Sequence, residues 1–383
     1  MPLGACLACG GDRIKSVADL GESPVATGAL FDNRASARQA ACGRLEIGMC
    51  LDCTHVQNLA FDARLVDYDV TYDNSLHFSG TFQEYADELV ARLVDQYDIR
   101  GKRIIEIGSG KGDFLQSICA VGGNTGTGFD PSVEPGTEIP GVRLVRDYFR
   151  PVPHPEPYDV LACRHVLEHL DDPATLLRAL SASAPPDALH YFEVPAAEFN
   201  FGPDGLWDCI YPHVSYFSQG SLASLVQRCG FEIVSLMRSF HGQFLSAEVR
   251  TGRNTSATQH ETGAHLTRVK RFAERYEKAV ARWRADVRAA RDAGETIVVW
   301  GAGSKGVNFL NAVDVTGDLL AVDINPRKWG KYLPISGHEV LAPQALAQRD
   351  VSTVVITNPA YRNEIADTLD ELGSSARIVS VHE

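Results

Sequence analysis

Apolar positions along this chain switch repeatedly between a period of two and a period of three to four. Between residue 101 and about 250, the candidate strands are Arg103–Ile107, Gly126–Asp130, Val142–Val145, Tyr158–Cys163, Leu189–Val194, Glu232–Arg238 and Phe244–Val249. Helical stretches alternate with them, which predicts a doubly wound, mostly parallel α/β sheet. Before this region, residues 80–98 carry Phe82, Tyr85, Leu89 and Leu93 at the spacing of an amphipathic helix. After it, residues 264–293 read as a long charged helix with Leu266, Val269, Phe272, Tyr276 and Val280 on one face. A second α/β unit follows, with strands at Thr296–Trp300, Leu319–Asp323 and Thr353–Thr357 and a closing helix. The stretch up to about residue 65 is rich in turns and cysteines, and the polar, aromatic run Tyr68–Ser75 follows it. These shifts divide the chain into residues 1–67, 68–255, a helical linker at 256–293, and 294–383.

A length of 383 residues fits two or three domains rather than one. The net charge of −13, with no evident basic patch, argues against generic nucleic-acid binding. No apolar run is long enough to span a membrane, and the opening residues do not form a signal peptide. A cytoplasmic protein is therefore expected. Five of nine cysteines fall in the first 53 residues, while Cys119, Cys163, Cys209 and Cys229 sit in apolar contexts as expected for reduced core thiols. Cys6-x-x-Cys9 and Cys50-x-x-Cys53 are two close pairs, each able to direct two thiolates at one ion. Four soft sulfurs suit a closed tetrahedral zinc site with no open position for chemistry. Disulfides or free thiols are the alternative, and Cys42 and His55 are spare donors nearby.

The segment Arg103–Leu115 runs an apolar strand into Gly108, Gly110 and Gly112, then resumes as a helix. Glu106 stands two residues before the first glycine, and Ser109 lies within the turn. So bare a turn lets the backbone approach a ligand closely. A phosphate binder would place Lys-Ser/Thr after the glycines or space them G-x-G-x-x-G. An acid before G-x-G-x-G suits a cationic ligand without phosphates. This segment resembles the first motif of class I S-adenosylmethionine (SAM) methyltransferases, and an ordinary glycine-rich turn is the alternative. Asp130, at the end of the next strand, is placed to accept hydrogen bonds from ribose hydroxyls. Asp147 and Tyr148 could lie beside an adenine, and Arg164-His165 opens a strand-to-helix segment resembling the fourth methyltransferase motif. Nothing resembles a metal-dependent methyltransferase site.

Taken together, the chain resembles the three-domain sugar C-methyltransferases. The motifs that carry the likeness are the Cys-x-x-Cys pairs, Ser23–Ala26, the Glu106 loop, Arg164–His169, Glu193–Pro195, Trp207–Tyr211, Ser215–Ser218 and Gly301–Gly306. The resemblance implies a zinc-binding N-terminal lobe, a class I methyltransferase core and a Rossmann-like C-terminal domain. It also implies methyl transfer from SAM to a ring carbon of a thymidine-diphosphate-linked 4-keto-deoxysugar. On this likeness His213 falls on the family's base and Tyr211 on a possible enolate partner, while Tyr72 and His169 match two further pocket residues. The chain departs from the family by being one residue shorter here. Pro212 stands where the family has a His–acid pair. Methylation of an oxygen or nitrogen of a related small metabolite is the alternative.

The C-terminal unit raises a third reading. Gly301-x-Gly303-x-x-Gly306 follows a strand, and Asp323 ends the next one, as in a nicotinamide domain. That pattern alone would point to an NAD-dependent enzyme. On the family resemblance the same loop, with Ser304 and Lys305, could instead help hold the substrate's pyrophosphate or close the cleft. The expected partner is a small molecule, with neither nucleic acid nor membrane, and the chain is expected as a monomer or homodimer.

Overall fold

The computed structural model describes residues 4–66, 76–150, 157–252, 262–314, 317 and 319–383. Tyr72 lies outside the described residues.

The central sheet has seven strands in the order Phe231–Ser239, Phe244–Thr251, Leu189–Pro195, Val160–Arg164, Arg103–Ile107, Thr125–Phe129, Val142–Val145. The last five in this order pair in parallel, and the Phe231–Thr251 hairpin adds two antiparallel strands at the other edge. Arg103–Ile107 sits inside the sheet, buried on both faces, which is why it reads as a continuous apolar run. Its C-terminal end faces the crevice where an open α/β sheet places ligands. The Gly80–Tyr97 helix buries Phe82, Leu89, Leu93 and Val94, and Ser79 caps its N-terminus by accepting from the Phe82 N–H.

The N-terminal segment carries more regular structure than its turn-rich composition predicts. Ile14–Pro24 and Cys42–Cys50 form a long antiparallel pair, joined by Val56–Asn58 and then by Ser215–Tyr216 from far along the chain. Irregular register at two points along the first strand blurs the alternation of apolar and polar positions. The third sheet is parallel, in the order Val340–Leu341, Leu320–Val322, Ile297–Trp300, Thr353–Ile356, Arg377–Ser380.

The Thr262–Asp292 helix ties these units together. Its Val269 and Phe272 are fully buried. They share one core with Leu45 and Ile47 of the N-terminal strands, Trp207 of the central unit, and Phe309 of the C-terminal unit. A second core joins Cys6, Cys50 and Cys53 to Phe192, Phe217 and Leu222. No helix among the described residues is long and apolar enough to cross a membrane.

Candidate functional site

A cleft of about 540 Å³ runs from the Glu106–Lys111 loop to the C-terminal sheet. Two of the three glycines hold the loop's shape for distinct reasons. Gly108 has φ +72°, and a Cβ there would meet the Val166 side chain at 2.2 Å. Gly112, at φ +91°, abuts Ile139 and Leu144 and does not line the cleft. Its role is packing at the helix start, a correction to its expected place among ligand contacts. Gly110 meets open space, and its N–H donates to Asp130 Oδ2 at 2.9 Å. The other Asp130 oxygen accepts from the N–H and hydroxyl of Ser132. Asp130 lines the cleft, and an ionised carboxylate has lone pairs left for ribose hydroxyls.

Glu106 and Ser109 also line the cleft. Glu106 is 3% exposed, and its Oε2 has no hydrogen bond. Burial pushes its carboxyl up to about 8, against the opposing pull of Arg164. A buried acid with an unsatisfied oxygen fits a cationic ligand, and the bare loop around it fits the methionine end of SAM. Of the segment expected beside adenine, Tyr148 and Phe149 reach the cleft. Asp147 does not: it is half-exposed, 3.7 Å from Arg150. That is a second correction.

Below the loop lies a buried ionic network. Arg164 donates to Glu193 at 2.8–2.9 Å, with its guanidinium 4.5 Å from the Phe114 ring centre. Tyr85 and Tyr191 each donate to the other Glu193 oxygen at 2.7 Å. Burial alone would raise the Glu193 carboxyl, but Arg164 and His165 outweigh it and hold it well below the usual range. His165 has φ +54°, which turns its ring between Glu193 at 3.3 Å and Glu168 at 3.5 Å. Burial pulls its imidazole down, yet the two carboxylates push it up to about 9. Arg164 and His165 line the cleft as expected, but Arg164 is committed to Glu193. Glu193, which closes the strand Leu189–Pro195, was not singled out as a site residue. A carboxylate within a strand that is fully buried up to Val194 was the available signal.

His169 and His213 meet on the cleft wall, ring centres 4.9 Å apart. His169 Nδ1 donates to the Pro212 carbonyl at 3.0 Å, since that oxygen can only accept. Burial, then the nearby His169, His165 and Lys305, drive His213 well below the usual imidazole range. A neutral imidazole in that position can accept a proton. Tyr211 is the third correction. It is fully buried and absent from the cleft wall. Its hydroxyl accepts from the Asp62 N–H at 2.8 Å, and its ring packs on Phe61 and beneath Gly43. A Cβ on Gly43 would come within 2.2 Å of that ring.

The C-terminal loop reaches the same cleft through Gly301, Gly303, Ser304 and Lys305. Its acid, Asp323, also lines the cleft and already holds three partners. Asp323 accepts from the Ala302 N–H at 2.7 Å and pairs with Lys328 at 3.0 Å. Lys305 pairs with Asp208, also at 3.0 Å.

Away from the cleft, Cys6, Cys9, Cys50 and Cys53 converge. Cys6 and Cys53 sulfurs are 3.5 Å apart, and Cys9 and Cys50 sulfurs 3.6 Å. Tetrahedral zinc with Zn–S bonds of about 2.3 Å sets neighbouring sulfurs about 3.8 Å apart. The donor set and its spacing therefore fit structural zinc. Cys42 is exposed, and His55 Nε2 bonds Ser215 instead.

Comparison with known proteins covers these parts in the same order. Residues 6–64 match a family described as "Putative zinc binding domain", 79–236 a "Methyltransferase domain", and 243–379 a "C-methyltransferase C-terminal domain". The C-methyltransferase NovU of Streptomyces niveus is 25% identical, over 97% of this chain and 93% of its own length. A ubiquinone biosynthesis O-methyltransferase of Aeromonas salmonicida is 28% identical, over 40% of this chain and 72% of its own. Among solved structures, a SAM-dependent methyltransferase from Mesorhizobium loti is 15% identical with a TM-score of 0.36, covering 44% of this chain and 99% of that one. The plantazolicin methyltransferase BpumL, in complex with SAH, is 13% identical with a TM-score of 0.38, covering 46% and 87%. With a four-cysteine lobe before the glycine loop and a C-methyltransferase tail after it, the chain matches the three-domain C-methyltransferase family in layout and is a SAM-dependent methyltransferase.

Proposed function

We propose that the protein methylates a ring carbon of a nucleotide-linked keto-deoxysugar, with His213 as the base. The observation that supports this reading is that His213 and His169, in ring contact, line the same cleft as the Glu106 loop. Carbon beside a ketone becomes nucleophilic only when its proton leaves. In this reading His213 takes that proton, and the C–H pair becomes the enolate. SAM, when bound, supplies an electrophilic methyl on its sulfonium. The acceptor carbon takes that methyl, the pair of the broken C–S bond stays on sulfur, and the imidazolium returns its proton to solvent. Glu106, Ser109 and Gly110 would hold the methionine end, Asp130 the ribose, and Tyr148 the adenine side. His169, turned by Pro212, would face the acceptor. Tyr72 keeps its proposed pocket role from the family likeness alone. Lys305 and Lys328 are already matched by carboxylates, so a diphosphate would rely on free N–H groups at the start of the Ser304–Val313 helix.

A second reading, methylation of an oxygen or nitrogen, is supported by the withdrawal of Tyr211 from the cleft. Without that phenol, an enolate has one fewer donor, whereas a hydroxyl or amine acceptor needs none.

The test is an assay of methyl-labelled SAM against a panel of nucleotide-linked keto sugars, with the product located by NMR. Solvent deuterium incorporation at the carbon beside the ketone separates the readings, because only a carbon base produces it. Label appearing on oxygen or nitrogen would overturn the first reading.

A further inference from the structure

The His213 segment, Tyr211-Pro212-His213, carries no carboxylate of its own. One stands opposite it. Glu168 ends the turn after the Val160–Arg164 strand and is 1% exposed. Among the described residues neither of its oxygens makes a hydrogen bond, and it pairs with His165 at 3.5 Å. One donor atom each of Glu168, His169 and His213 lies within 4.8 Å of the other two. All three residues line the cleft. Burying a carboxylate is costly unless a partner compensates. His169 is anchored by the Pro212 carbonyl, and His213 Nδ1 is itself buried without a hydrogen bond. A carboxylate without a hydrogen bond and a histidine with a buried, unpartnered Nδ1, whose donor atoms come within 4.8 Å, can complete each other. A separation of up to 4.8 Å is one that a single water spans.

We propose that Glu168 is the positioning residue of His213. Supplied by a different turn of the chain, it fixes the proton on Nδ1, leaves Nε2 to face the acceptor, and stabilises the imidazolium that forms. The roles are those of an orienting carboxylate behind a histidine base. His165, His169 and Lys305 also face His213, and none of them is an anion. Glu168 is therefore the negative group in position to offset the developing charge. The proposal rests on His213 being the base.

The experiment has two arms. In the first, NMR of protein labelled with 15N-histidine, assigned with His213→Gln, reads the His213 tautomer and needs no acceptor. The expected result is a single Nδ1–H tautomer in the wild type and a mixture in Glu168→Leu. In the second, turnover is measured with labelled SAM and thymidine-diphosphate-4-keto-6-deoxyglucose. Glu168→Gln should lower kcat at least about tenfold, part of the 10²–10⁴ a general base contributes. KM for SAM should stay within about twofold, and Glu168→Asp should recover part of the loss. An unchanged tautomer in Glu168→Leu overturns the proposal. So does a full rate in Glu168→Gln while His213→Ala is inactive, a result that leaves His213 as the base. Full activity in His213→Ala would instead remove the base assignment itself. Metal analysis completes the test: a second bound ion present in the wild type and lost in Glu168→Gln would make Glu168 a ligand, and overturn its positioning role.

Discussion

The ammonium of Lys328 lies 3.0 Å from the carboxylate of Asp323, and both side chains are buried beneath the C-terminal glycine loop. The acid at the position of a nicotinamide ribose ligand thus lines the cleft already paired with a buried cation. NAD should leave the thermal unfolding temperature unchanged at concentrations where SAM raises it, since only a ligand of the native state stabilises it. Lys328→Ala strands a buried carboxylate and should destabilise the protein by about 3 kcal/mol. A stabilising response to NAD comparable with that to SAM would contradict the assignment.

Glu106, as proposed holder of the methionine end, should make SAM binding sensitive to pH. Its folded value of about 8 is above the ordinary 4.5, so the native state holds a proton that the unfolded chain has lost between those values. Its contribution to stability is fully present below about 4.5 and falls as pH rises toward 8. A cationic ligand beside Glu106 favours the ionised form. SAM binding should therefore release a proton below pH 8 and tighten with pH, by at most about tenfold per unit. Calorimetry in two buffers of different ionisation enthalpy measures that proton. Glu106→Gln should bind more weakly and lose the slope. An equal slope in the variant would assign the effect to another group.

His213→Ala should abolish most turnover, by about 10²–10⁴-fold, while SAM affinity stays as in the wild type. Single-turnover measurement with labelled SAM separates the two quantities. Normal turnover would mean that another residue removes the proton.

The four-cysteine lobe should carry one zinc per chain. Cys53→Ser should lose it, and the lobe's hairpin should open at a lower temperature, because binding energy at such a site is folding energy. Atomic emission counts the metal, and circular dichroism follows the unfolding. Retention of a full equivalent of zinc by the variant would exclude Cys53 as a ligand.

Local chemistry carried most of what the sequence discloses. Arg103–Ile107 and Val142–Val145 form with the expected bounds, and the four cysteines meet. Both depend on near neighbours or on side chains with few uses. Tyr211 and Glu168 depend on distant partners. Tyr211 is drawn from the cleft by the Asp62 N–H and the space left by Gly43, neither of them near it in sequence. Glu168 lies next to His169, so its neighbours in sequence were plain, but its proximity to His213 arises only when two turns 45 residues apart are brought together. Asp323 shows the converse: its position was read correctly, while its engagement by Ala302 and Lys328 depends on how the loop closes.

Ser215–Tyr216, two residues beyond His213, is the outer strand of the N-terminal sheet, paired with Val56–Asn58 just past the last metal-binding cysteine. The chain thus pairs the segment after His213 with the hairpin of the four-cysteine lobe instead of with the central sheet. A molecule emptied of metal would still capture SAM but would have lost the fixed edge against which its acceptor is aligned. If zinc fills the four-cysteine site, its removal should lower turnover while leaving SAM affinity unchanged, because strand pairing links that lobe to a loop about 160 residues later.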